Sequence, residues 1–275
     1  MTYGVRMAPD SEKGKWNKPR NRWIRRGTGT WYRKGQSIKF LLSRDLKAVF
    51  SFLTSSYPFS FPISHRVKFL RDLLHVTNQV RGYHTLTEIL TVCDRIFKIG
   101  DQENVVIIEA GAGSGSSTAK LSLATRVIGG QLYVFDSFRG IPENDEQHYL
   151  LDGRPLKFVR GAFKGRLAAV KKRVAAYGAP EVCHYTKGLL ADTLPSCELI
   201  PNLCLLDVDL ISSTQTCLEH FGPKMKPGGV IFSQDGHLRA TIDLLEDEAF
   251  WSGILKQGKP NITGLESHKL IEIRF

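Results

Sequence analysis

The sequence predicts an α/β protein built on a doubly wound, mostly parallel sheet with helices on both faces. Three observations predict it. Short apolar runs at 105–110, 203–206 and 230–233 alternate with stretches of helical spacing. The first run, Val105 to Ala110, is continuous rather than alternating, which marks a strand buried on both faces. Glycine-rich turns at 111–115 and 227–229 stand where one element gives way to the next. Strands that alternate with helices in this way favour parallel pairing.

In chain order, residues 38–53 carry Ile38, Leu41, Leu42, Leu46, Val49, Phe50 and Leu53 and read as an apolar-rich helix, ended by the Pro58 and Pro62 region. Val67, Leu70, Leu73, Leu74 and Val76 mark a second helix. Leu86, Ile89, Leu90, Cys93 and Ile96 mark a third, which Gly100 stops. After the strand ending at Ala110 come a helix (118–128), a strand (132–135), a helix (165–177) with Leu167, Val170 and Val174 on one face, and a strand (182–185). Further on are a strand (203–206), a helix (213–221), a strand (230–233), a helix (241–251) and a closing strand (269–275). The acidic stretch from Glu143 to Asp152 reads as a mobile segment that covers the site.

The 275 residues suffice for one large domain with an extension. The net charge of +11 is uneven, since residues 1–50 hold 13 Lys/Arg against 3 Asp/Glu. The expected division is a basic arm and helix over 1–60 and the α/β domain over 61–275. The arm carries Trp16, Trp23 and Trp31 among its charges, more aromatic than a purely solvated tail. It reads either as a solvated tail partly covering the domain or as a contact for an anionic surface: a lipid head group, a phosphorylated glycan or a nucleic acid. No run approaches the length of a membrane span, and the basic N-terminus lacks the apolar core of a secretory signal. Five cysteines without a C-x-x-C pair argue against a disulfide framework or zinc ribbon and for a cytoplasmic protein.

The chemistry is sought at the first turn, Glu109-Ala110-Gly111-Ala112-Gly113-Ser114-Gly115. It follows a buried strand and precedes a helix, where sheets of this kind bind ligands. The spacing is G-x-G-x-G rather than the dinucleotide G-x-G-x-x-G, and no Walker lysine follows. Glu109 ends the strand, placed to pair with an ammonium, and Asp136 ends the next strand, placed to accept from a ribose diol. Together these features favour S-adenosylmethionine (SAM), with Glu109, Gly111, Ala112, Gly113, Gly115, Asp136 and Ser137 as its contacts. A nicotinamide oxidoreductase is the weaker reading, since no Tyr-x-x-x-Lys pair is recognisable.

Several segments, in order, resemble the macrocin O-methyltransferase family of class I, Rossmann-like methyltransferases. Glu109 to Gly115 is similar to motif I of class I. Asp136-Ser137-Phe138-Arg139-Gly140-Ile141-Pro142 resembles the family's D-S-F-x-G-[LI]-P. Gly188-Leu189-Leu190-Ala191-Asp192-Thr193-Leu194-Pro195 resembles G-x-F-x-D-T-L-P. Leu206 to Thr214 is similar to L-D-x-D-x-Y-x-S-T, and Pro227 to Asp235 to P-G-G-x-x-x-x-D-D. The resemblance spans about residues 80–240. It implies methyl transfer to a hydroxyl, often on a sugar of a natural product, beside a divalent metal. Two positions depart from it: Ile211 replaces the tyrosine of D-x-D-x-Y, and Gln234 replaces one carboxylate of D-D.

Asp207 and Asp235 fall at strand ends on the cofactor side and are candidate Mg²⁺ ligands, with a third ligand from Asp209, His237 or water. Asp207 and His237 are the candidate catalytic groups, His237 as general base. His84 is placed to touch the cofactor, and His148 lies in the acidic segment. The expected partners are a small-molecule hydroxyl acceptor and a second copy of the chain. The alternatives are a nucleic-acid methyltransferase recruited by the arm, against which stands the absence of an N-P-P-Y-type motif, and a non-catalytic SAM-binding module.

Overall fold

The computed structural model describes residues 44–275 apart from 101, 256 and 257. The basic arm, its three tryptophans, its anionic partner and the start of the first expected helix therefore lie outside the described residues.

Seven strands form one sheet: β1 (Val106–Ala110), β2 (Gln131–Asp136), β5 (Cys183–Lys187), β6 (Leu203–Leu206), β7 (Val230–Ser233), β8 (Asn261–Thr263) and β9 (Ile271–Arg274). Their order is β5-β2-β1-β6-β7-β9-β8. The first five strands of that row pair in parallel, and β9 runs antiparallel to both β7 and β8. The expected mostly parallel sheet is what forms, with β8 added at the edge. A two-stranded hairpin, β3 (His148–Tyr149) and β4 (Pro155–Leu156), stands apart.

The helices are α1 (Arg44–Thr54), α2 (Ile63–Gln79), α3 (Leu86–Ile99), α4 (Ser116–Val127), α5 (Leu167–Tyr177), α6 (Leu190–Thr193), α7 (Ile211–Phe221), α8 (Arg239–Glu246) and α9 (Glu248–Ile254). Local chemistry sets several boundaries. A reciprocal capping box starts α3: the Glu88 amide donates to Thr85 Oγ1 (3.1 Å) and the Thr85 amide to Glu88 Oε2 (2.6 Å). Gly100 ends that helix at φ +54°. The single helix expected over 241–251 is two, because Asp247 leaves helical geometry and caps the second through the amides of Ala249 and Phe250.

Two apolar layers sandwich the sheet. Leu205 and Phe232 face α2 to α5, and Ile108, Cys204 and Ile231 face α7 to α9. Helix α4 is buried along nearly its whole length, which explains its Ser, Thr and Ala content in place of an amphipathic stripe. Burial also pushes Lys120, on α4, down to about 8. Aromatic packing continues across residue 60: Phe52 of α1 meets Phe61, Phe69 and Phe97 at centroid distances of 6.3, 5.6 and 5.8 Å. Arg66 fastens this region, donating to the carbonyls of Leu53 (2.9 Å) and Ser55 (2.6 Å) with its guanidinium 4.6 Å from the Tyr57 ring centre.

The acidic segment reaches the cleft through Glu143 and Asn144 and then folds back on itself. It is a docked hairpin, held by a small core of Ile141, Leu150, Phe158, Leu210 and Leu238. Its acids suggest a solvated strap, but the apolar residues between them pack beneath it. All five cysteines are unpaired, and no helix among the described residues is long and apolar enough to cross a membrane.

Candidate active site

A cleft of about 360 Å³ opens at the carboxyl ends of β1, β2, β6 and β7. Strand order reverses at β1, so the loops after β1 and β6 diverge and leave this crevice. Gly111 sits in the fork. Its amide donates to the Phe135 carbonyl (2.9 Å), while the Asp207 amide donates to the Ala110 carbonyl (2.9 Å). A Cβ on Gly111 would stand 2.0 Å from the Asp207 carbonyl oxygen, and its φ is +91°. Only glycine fits there. Asp136 shapes the next step of the turn: Oδ2 accepts from the amides of Ala112 (2.7 Å) and Gly113 (3.1 Å), and Oδ1 from that of Phe138. A carboxylate has further lone pairs, so its capacity to take a diol is not exhausted. Burial raises the pKa of Asp136, and these amides pull it back. Ser137 closes its own turn through the Gly140 carbonyl (3.0 Å) and the Arg139 amide (3.1 Å).

Gly111, Ala112, Gly113, Asp136 and Ser137 all line the cleft, as expected for cofactor contacts, and so do Asp207 and His237. Glu109, Gly115 and Asp235 do not. Gly115 instead precedes α4 and lies against Val170, where a Cβ would come within 2.9 Å of Cγ1. Glu109 is fully buried, and neither carboxylate oxygen makes a hydrogen bond. Burial drives its pKa to about 8, and the Ser117 and Thr118 hydroxyls pull the other way. Glu109 thus lies as a buried acid beneath the turn, with both carboxylate oxygens unpartnered.

On the opposite wall three carboxylates converge. Asp207 follows β6, Asp209 follows two residues later, and Asp235 follows β7, with one oxygen of each within 4.8 Å of the others. Asp209 adopts φ +63°, and its amide donates to Asp235 Oδ2 (3.2 Å). Burial and the neighbouring acids hold Asp209 well above the usual carboxylate range and Asp235 at about 7. Asp207 and Asp209 face the cleft, and Asp235 lies fully buried behind them. Gln234 is also fully buried and off the cleft, so its neutral amide stands away from the open wall. Lys269 is the one lysine or arginine among the described residues that line the cleft. Its charge acts on Asp209, Asp235, His84 and His237.

The histidines are now distinguishable. His84 is buried, with Nε2 3.6 Å from Asp207 Oδ2, and lines the cleft beside Tyr83. Burial lowers its pKa while Asp207 raises it. His237 lines the cleft as expected, but burial and the Lys269 charge push it to about 3. An imidazole so hard to protonate is a poor general base near neutrality. His148 is buried in the hairpin, edge-on to Phe158, with Nε2 3.1 Å from Glu146 Oε2.

Residues 75–247 match the profile of the macrocin O-methyltransferase (TylF) family. The chain belongs to this family. Over 147 residues it is 28% identical to the 8-demethyl-8-(2,3-dimethoxy-alpha-L-rhamnosyl)-tetracenomycin-C 4'-O-methyltransferase of Streptomyces olivaceus. That match covers 51% of this chain and 56% of the relative, so the chain spans little more than half the length of that protein. Two solved structures share the fold. The O-methyltransferase NovP has a TM-score of 0.53 at 18% identity, covering 70% of this chain and 82% of its own. The calicheamicin methyltransferase CalS11 has a TM-score of 0.53 at 18% identity, covering 91% and 99%.

Sequence reasoning missed Lys269 altogether and weighed Asp209 only as a ligand. No motif marks Lys269. Its place is fixed by the Gly236 amide, which donates to the Lys269 carbonyl (2.9 Å), and by the bare Gly236 Cα, where a Cβ would meet that carbonyl at 2.8 Å.

The buried acids of this family member have a consequence for stability. In the folded chain Asp235 titrates at about 7 and Glu109 at about 8, against ordinary values of 3.8 and 4.5. The folded state thus keeps protons that the unfolded chain releases. Their stabilisation is complete below about pH 4 and is lost as pH rises through about 7 to 8. The ligand-free protein is expected to melt several degrees lower at about pH 8.5 than at about pH 5.5 in a calorimetric scan. A flat melting temperature across that window would mean that both acids are already ionised and paired.

Proposed function

We propose that this protein transfers a methyl group from SAM to a hydroxyl of a small molecule, a sugar of a glycosylated natural product. The observation that carries the reading is the meeting of the glycine turn with Asp207 and Asp209, the acids of the family's D-x-D segment, in one cleft, with Asp235 buried behind them. The turn from Gly111 to Gly113, with Asp136 and Ser137, holds the cofactor. Asp207 and Asp209 face the acceptor. The acceptor oxygen attacks the methyl carbon in line with the sulfonium, so the C–O bond forms as the C–S bond breaks. The hydroxyl proton passes to Asp209, which faces the cleft beside the acceptor, and S-adenosylhomocysteine leaves. His237 stays neutral and serves as a wall of the acceptor site.

The residues also fit a small divalent cation. Three hard oxygen donors lie within one ion's reach, and Asp235 Oδ1 is buried without a hydrogen-bond partner. Asp207, Asp209 and Asp235 would hold Mg²⁺, which when bound lowers the pKa of an acceptor hydroxyl. Repulsion from the neighbouring acids contributes to the raised pKa values of Asp209 and Asp235, and such a charge relieves it.

The test begins with titration calorimetry of the protein against SAM and against NAD⁺, followed by transfer of labelled methyl to rhamnosides with and without EDTA. Heat with SAM alone and labelled methyl ether are expected. Heat with NAD⁺ and none with SAM would remove the reading. Full activity in EDTA would remove the cation while leaving methyl transfer in place.

A further inference from the structure

The hairpin that follows β2 does more than line the cleft. In the loop that leads from β2 into it, Ile141 and Asn144 lie on the cofactor wall, and two residues later Glu146 reaches across to the acid wall. Glu146 Oε2 accepts from the Ile211 amide (2.8 Å), and Oε1 from the Ser212 amide (3.2 Å) and the Ser212 hydroxyl. These are the first amides of α7, whose own N-cap residue, Leu210, has no side-chain cap to offer. The carboxylate thus satisfies donors that the helix start leaves open, where the helix dipole favours a negative charge.

Asp209 stands two residues before Ile211 in the left-handed region, uncommon for a residue with a side chain although aspartate reaches it more readily than most. The turn is held from both sides. Asp235 holds the amide of Asp209 itself, and Glu146 holds the two amides beyond Leu210. Leu210 is buried in the small core with Ile141 and Phe158, so the turn and the cofactor wall share one packed unit. His148, buried on Phe158, braces Glu146 from behind at 3.1 Å. Because Glu146 grips the backbone of residue 211, the family's tyrosine there can be Ile211 without loss of the contact.

We propose that Glu146 is the positioning residue that sets the Asp209 turn and links it to the cofactor wall. This rests on the reading of the cleft as a SAM site with Asp209 as proton acceptor. Cofactor seated against Ile141 to Asn144 steadies the hairpin, and Glu146 passes that order to Asp209.

The experiment is amide hydrogen exchange on the full chain with and without S-adenosylhomocysteine, in wild type, Glu146→Ala and Glu146→Gln. In wild type the ligand is expected to slow exchange in two places, the glycine turn (111–118) and the Asp209 turn (207–216). In Glu146→Ala the protection at 111–118 should remain and ligand affinity change by less than about threefold, while the ligand-induced protection at 207–216 disappears, a loss of about tenfold or more for one charged cap. Glu146→Gln keeps one acceptor oxygen and should retain part of the response; it carries the test if the alanine variant does not fold. A merely structural cap would raise exchange at 207–216 equally with and without ligand, and that result overturns the proposal. So does wild-type protection confined to 111–118, or full protection of 207–216 in both variants. Failure of S-adenosylhomocysteine to bind wild type at all would instead remove the cofactor reading, and the coupling with it.

Discussion

Asparagine at position 209 is expected to lower methyl transfer about a thousandfold, the middle of the range for losing a positioned base, while SAM affinity stays within about threefold. The substitution keeps the fold of the turn while removing a carboxylate proposed both as base and as cation ligand. Asparagine tolerates the left-handed conformation that Asp209 adopts at φ +63°. Its amide still donates to Asp235, and its volume is nearly unchanged. What it lacks is a carboxylate able to take the acceptor's proton. Initial rates with labelled SAM, set beside calorimetric SAM affinity, provide the measurement. His237→Gln is the informative partner, since an imidazole held at about 3 contributes little as a base and the variant should lose less than about tenfold. If the two variants exchange these effects, the base is His237 and the raised pKa of Asp209 belongs to cation binding alone.

Much of this site was legible in the sequence, for a reason of topology. In a parallel sheet every strand's carboxyl end lies on one side, so acids that follow apolar runs must gather there. Glycine spacing and strand ends therefore sufficed to bring Gly111, Asp136, Asp207 and Asp235 to one end of the sheet. The burial of Glu109 was not legible because β1 is otherwise apolar on both faces. Alternation puts Glu109 on the face of Ile107, under α4, while Ile108 and Ala110 face the other layer. A doubly buried strand carries no polar marker to tell one face from the other.

The basicity of His237 was illegible because it is set by burial and by Lys269, a residue 32 positions away with no motif around it. The hairpin 148–156 escaped because two-residue strands are too short to show a period of two, and its acids suggested solvent. Glu146 was hidden for the same reason. A cap supplied from 65 residues upstream leaves no local capping signature at Leu210 or Ile211.

Gly111→Ala should be the most damaging single change to the turn, and it separates two reasons for a glycine there. The added Cβ would stand 2.0 Å from the Asp207 carbonyl oxygen, a backbone atom that cannot rotate away. The two hydrogen bonds that flank it, Gly111 to Phe135 and Asp207 to Ala110, prevent the strands from spreading. A left-handed alanine costs about 1–2 kcal/mol, and forced overpacking about 1–3 kcal/mol more. A loss near 3 kcal/mol would lower the melting temperature by roughly 6–12 °C in a chain of this size and displace Asp207 from the acid wall. Gly113→Ala is the contrast. Its φ of +48° carries the same left-handed cost, but its Cβ would find only the Phe163 carbonyl, at 3.7 Å, so there is no clash and the side chain enters the space left for a ligand. Thermal melting with and without SAM reads both variants at once. Gly111→Ala should lower the melting temperature and abolish the SAM-induced rise, whereas Gly113→Ala should abolish the rise with a smaller loss of stability, about 1–2 kcal/mol. Equal melting temperatures for the two would mean that the first glycine is kept for the ligand rather than for the fork between β2 and β6.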